Sequence, residues 1–103
     1  MHSYEDFQSS DSERKPPHTP YRRVVNAVLM QAADDLRYLR ERLKARRYPQ
    51  PHMVEAAMWV ESDDMRPFSF MWCCDMVGRD PGDTRKKMLQ GLNVQRLKEA
   101  LRP

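Results

Sequence analysis

The sequence is poor in what most catalytic sites require. It has three glycines, two cysteines and three histidines among 103 residues. So few glycines leave no Walker A loop and no glycine-rich dinucleotide turn. His2 and His18 lie near the N-terminus and His52 at an expected helix start, and none has a partner at useful spacing. Cys73 and Cys74 are adjacent, a poor geometry for a disulfide, and no further cysteine or close histidine completes a metal site. Reduced thiols and a cytoplasmic setting are expected. Asp34, Asp35, Glu61, Asp63 and Asp64 are read as helix-face and loop charge rather than metal ligands. No run approaches the ~20 apolar residues of a membrane span. The first residues, Met1-His2-Ser3-Tyr4-Glu5-Asp6, lack the basic and apolar regions of a signal peptide. The expectation is a non-enzymatic protein with no cofactor, no metal and no membrane association.

What is present is charge, unevenly spread. The net charge is +3. By segment it runs −2 over 1–20, +5 over 21–48, −3 over 49–68 and +3 over 69–103. Two basic surfaces raise the prior for a polyanionic partner.

Residues 1–18 hold four serines and little periodicity, and read as a disordered tail. Residues 19–103 read as a single helical domain. Thr19-Pro20 suits a helix start. Tyr21, Val24, Val25, Val28, Leu29, Ala32, Leu36, Leu39 and Leu43 then recur at helical spacing to about Arg47, before Tyr48-Pro49-Gln50-Pro51. A helix of roughly 40 Å is long for so small a chain. It is expected either to break near Asp34-Asp35 or to pack on a second copy, with Val25, Leu29, Leu36 and Leu43 as the dimer seam. Its end carries Arg37, Arg40, Arg42, Lys44, Arg46 and Arg47. These cations suit a helix C-terminus, or alternatively a phosphate-contacting edge. A second helix is expected from Gln50 or Pro51 to Glu61, and a last one over 93–101 capped by Asn93.

Residues 69–91 meet the demands of a helix-turn-helix. Cys74 is small where two helices cross. Gly78, four residues on, accepts the positive φ of a turn. Asp80-Pro81 supplies a cap and a first helical residue. Thr84, Met88 and Leu89 are expected to face the core. A reading helix over about 81–91 would then present Arg85 and Gln90 to bases. Lys86, Lys87 and Arg79 would meet phosphates, and Asp83 would meet cytosine N4 or strengthen the helix start.

The run Ala56-Ala57-Met58-Trp59, Ser62-Asp63-Asp64, Pro67-Phe68-Ser69-Phe70, Cys74-Asp75-Met76-Val77-Gly78-Arg79-Asp80-Pro81 and Arg85 resembles a pattern in small bacterial and phage-borne proteins. Val28–Leu36 is similar to their first helix. The resemblance covers residues 24–91 and implies a helix-turn-helix fold. Arg79 departs from it, standing where an aliphatic residue is usual, and the first helix is longer and more basic.

The fold expected is therefore all-α: a small bundle of four to five helices. The leading functional expectation is a homodimeric, phage-type transcriptional regulator that binds double-stranded DNA. The alternative is a module that binds and modulates a host or bacterial protein, such as polymerase or a defence enzyme. The acidic residues Glu55, Glu61, Asp63 and Asp64 beside aromatics favour it.

Overall fold

The computed structural model describes residues 20–100, so the tail expected over 1–18 lies outside the described residues. The described chain is all-helical: α1 (Pro20–Lys44), α2 (Pro51–Glu61), α3 (Phe70–Val77), α4 (Pro81–Met88) and α5 (Val94–Ala100). α1 packs along α2 and α3, α5 closes on α2, and α4 leans on α3 and the end of α2.

α1 runs unbroken through Asp34-Asp35 because nothing there removes a backbone donor or forces a turn. At ~1.5 Å per residue it is about 37 Å long, most of the molecule's 46 Å longest dimension. It ends one turn before the expected Arg47. Arg46 takes a left-handed φ of 59°, and its N–H donates to the Leu43 carbonyl at 3.1 Å while Arg47 N–H donates to Arg42 O at 2.9 Å. The basic residues thus form the helix end and the start of the loop.

The stripe of α1 is buried within its own chain. Val25, Leu29, Ala32, Leu36 and Leu39 join Met53, Val54, Ala57, Val60, Phe70, Cys73, Cys74, Val77, Val94 and Leu97 in one core. This corrects the dimer seam. Val25, Leu29 and Leu36 are used up by α2 and α3, and of the expected seam only Leu43 is exposed. The stripe was long because several helices share it. Tyr21 and Val24, expected inside it, lie at the surface instead. Asn26 is buried among these apolar side chains, and its Oδ1 has no hydrogen-bond partner among the described residues.

Candidate nucleic-acid interface

α3, the turn and α4 form locally for reasons readable residue by residue. Ser69 Oγ accepts from Trp72 N at 3.2 Å and starts α3. Gly78, with φ 77°, ends it. The Gly78 and Arg79 N–H groups return to Asp75 O and Cys74 O at 3.2 and 2.8 Å, which satisfies carbonyls that a helix end leaves open. Asp80 Oδ2 accepts from Asp83 N at 2.7 Å, and Pro81 fills the first helical position.

α4 is shorter than the expected 81–91, ending at Met88. Gln90 falls in the turn beyond it. The chain turns over 89–91, where Gly91 takes a left-handed φ of 77°, and α1 caps the helix end: Arg40 Nη1 donates to Met88 O at 3.0 Å and to Gln90 O at 3.4 Å. Arg40, read from sequence as part of a basic edge, is thus a cap on a helix remote in sequence. Thr84 is half-buried rather than core; Met88 and Leu89 are half-buried against the core as expected.

The chief correction concerns Arg85, expected as a base reader. It turns inward. Nε donates to Val60 O at 2.8 Å and Nη2 to Ser62 O at 2.8 Å, the open carbonyls at the end of α2. Nη1 pairs with Asp63 at 3.2 Å, and the guanidinium lies 5.4 Å from the Phe70 ring centroid. With its side chain 25% exposed and its donors engaged, Arg85 is a clamp between α4 and α2. The signal was available only in part: Arg85 shares the inward arc of α4 with Thr84 and Met88, but the helix is too short for periodicity to fix that arc.

The remaining expected contacts lie outward. Lys86, Lys87, Asp83, Gln90 and Arg79 are exposed, and α4 fully buries none of its residues. Lys87 Nζ sits 3.4 Å from Asp83, an exposed pair one turn apart and worth little in stability.

The acidic block is largely neutralised within the chain. Asp63 meets Arg85, Glu61 meets Lys98 at 3.2 Å, and Asp64 meets Arg66 at 2.6 Å. The side-chain hydrogen bonds from Arg66 hold the Asp64 carboxyl down at about 2. Both cysteines are buried and free. Burial pushes the Cys73 thiol up, and it pushes Cys74 to about 11, aided by the neighbouring Cys73. A nucleophilic thiolate needs the opposite environment.

Sequence reasoning missed an exposed aromatic group. Tyr21, Phe68 and Trp72 come together with ring centroids 6.1, 5.9 and 4.8 Å apart. Only Pro67-Phe68, a loop aromatic, hinted at it.

Among the described residues no helix is long and apolar enough to cross a membrane. No group of three or more His, Cys, Asp or Glu among them could hold a metal ion. No protein family, no curated protein and no solved structure matches this chain.

Proposed function

We propose that the chain is a DNA-binding regulator that holds duplex DNA with the α3–turn–α4 unit. The observation that carries this reading is the two-sided character of α4. Arg85 anchors the helix to α2, while Lys86 and Lys87 on α4, and Gln90 in the turn beyond it, remain exposed. A short helix fixed from behind and cationic in front suits contact with a phosphate backbone. The C-terminal half of α1 is tied to the end of α4 by Arg40, and its end exposes Lys44, Arg46 and Arg47 as further cations.

The inward turn of Arg85 alters the kind of recognition. Gln90 is left as the residue suited to an adenine edge, so phosphate contact dominates and sequence preference is modest. Asp83 opposes binding in this reading, because it neutralises Lys87 and faces the same polyanion.

The test is fluorescence anisotropy on labelled duplex DNA between about 50 and 200 mM salt. Lys86→Ala and Lys87→Ala should each reduce the slope of log affinity against log salt by about 1. Asp83→Asn should strengthen binding. Gln90→Ala should change preference in a random-duplex selection without changing the salt slope. No affinity at the lowest salt, or an unchanged slope in the Lys86→Ala/Lys87→Ala double variant, overturns the proposal.

A further inference from the structure

Two helices of this chain end in the same kind of turn, built from different residues. At the end of α3 the Gly78 N–H donates to Asp75 O and the Arg79 N–H to Cys74 O, at 3.2 and 2.8 Å. At the end of α1 the Arg46 N–H donates to Leu43 O and the Arg47 N–H to Arg42 O, at 3.1 and 2.9 Å. The first residue of each pair is left-handed, with φ 77° at Gly78 and 59° at Arg46. Glycine is the usual occupant of that position, because a side chain there strains the backbone. α1 carries an arginine where α3 carries the glycine.

A strained residue of this kind points to a use for its side chain, and that use is not internal. Arg46, Lys44 and Arg47 are exposed, and their side chains make no hydrogen bond or ion pair among the described residues. The other cations of this helix end are engaged. Arg37 pairs with Asp34, Arg40 holds the Met88 and Gln90 carbonyls, and Arg42 Nε donates to Tyr48 O at 2.9 Å. Glu41 is the one acid from residue 36 to residue 50, and it forms no ion pair among the described residues. Three close cations are therefore left unneutralised. By contrast, Glu61, Asp63, Asp64 and Asp83 each pair within the chain.

The loop that carries these cations is held at several points. Arg42 binds the Tyr48 carbonyl, the Tyr48 hydroxyl donates to Ala100 O at 3.2 Å, Pro49 is buried and Pro51 opens α2. Groups on a fixed loop lose little further freedom when they bind. The loop also starts close to α4. Arg40 touches the carbonyls of Met88 and Gln90. Lys44 is four residues further on, so it shares that face of α1 and lies about 6 Å along the axis. Arg46 and Arg47 follow within about 10 Å of Arg40.

We infer that Lys44, Arg46 and Arg47 form a second phosphate clamp, which grips the duplex backbone beside the stretch that α4 contacts. The inference rests on the reading of α4 as the DNA-facing helix. One strand of duplex DNA presents a phosphate every ~3.4 Å of axis, so three cations within about 10 Å match about three phosphates. Contacts of this kind fix the protein's orientation on the duplex and carry no sequence information. They suit an interface whose expected guanine reader, Arg85, faces inward. Arg46 then trades backbone strain for a cation at the place where the clamp needs one.

The experiment combines thermal melts of the full chain with anisotropy on labelled duplex DNA over the same salt range. Arg46→Gly should raise the melting midpoint, because it relieves the left-handed strain. The same variant should reduce the slope of log affinity against log salt by about 1. Arg46→Lys should keep the slope without raising the midpoint, and Arg46→Ala should lose slope without raising it. The Lys44→Ala/Arg46→Gly/Arg47→Ala variant should lower the slope by about 3. The inference is overturned if Arg46→Gly binds like the wild type at every salt concentration, or if its midpoint falls. It is equally overturned, with the α4 reading left standing, if the triple variant keeps its slope while the Lys86→Ala/Lys87→Ala variant loses it. A slope that falls in the triple variant alone supports the loop contact and overturns the α4 reading instead. No affinity for duplex DNA at the lowest salt overturns both.

Discussion

Arg85 shows how a single side chain can carry two opposite readings. On a solvated helix face its fork matches guanine; against the end of α2 the same fork matches two open carbonyls. The geometry selects the second, with both carbonyl distances at 2.8 Å. Arg85→Ala should therefore cost about 2 kcal/mol of stability, because charge-assisted hydrogen bonds are lost and two partly buried acceptors are left open. Arg85→Lys should recover little of it, since a point charge cannot span both acceptors. Urea unfolding of the variants checks this; midpoints matching the wild type would return Arg85 to the surface. The cysteines give a pH prediction. A thiol whose folded pKa is raised keeps its proton when the unfolded chain has lost it, so the folded state binds more protons. The Cys74 contribution is fully present below the unfolded value near 9 and is lost as pH rises toward about 11. Stability measured across that window should fall, and Cys74→Ser should flatten the fall. Thiol reagents at pH 8 should label the folded chain far more slowly than the unfolded one.

Among the elements, the α3–turn–α4 unit was the most legible. Ser69, Gly78, Asp80 and Pro81 each meet a local backbone demand, and local demands leave signatures in sequence. Two glycine substitutions should have opposite effects for this reason. Gly78→Ala should destabilise by about 1 kcal/mol, because φ 77° excludes a Cβ without strain. Gly82→Ala should stabilise by up to ~1 kcal/mol, because it restores helix propensity and its Cβ would meet only Asp80 Oδ2, at 3.5 Å. Thermal melts of both variants suffice; a shift of the same sign for both would contradict the assigned turn. The length of α4 was not legible. Lys87, Met88, Leu89 and Gln90 continue a helical pattern, and it is Arg40, far away in sequence, that holds the end of the helix.

In the whole molecule, α1 is the axis. It carries the core on one side, an aromatic strip at its start and a basic cluster at its end. Its unusual length suggested a partner copy, but α2 and α3 of the same chain cover the stripe. Leu36 tests the distinction because it is fully buried in the monomer. Leu36→Ala should lower unfolding stability by about 3 kcal/mol, the usual scale for a leucine cavity. The loss should be independent of protein concentration. A dimer seam would give a loss that shrinks as concentration rises.

The sequence alone determined the all-α class, the order of the helices, the starts at Pro20, Pro51 and Pro81, the place of Cys74 where two helices cross and the Gly78 turn. These depend on periodicity, caps and backbone conformation, which act over a few residues. The tertiary structure alone decided that Arg85 faces inward, that Arg40 caps α4, that the α1 stripe is internal, and that Tyr21, Phe68 and Trp72 meet at the surface. Those outcomes depend on which carbonyls and rings the packed helices bring within a few ångströms of one another, and no spacing along the chain encodes that distance.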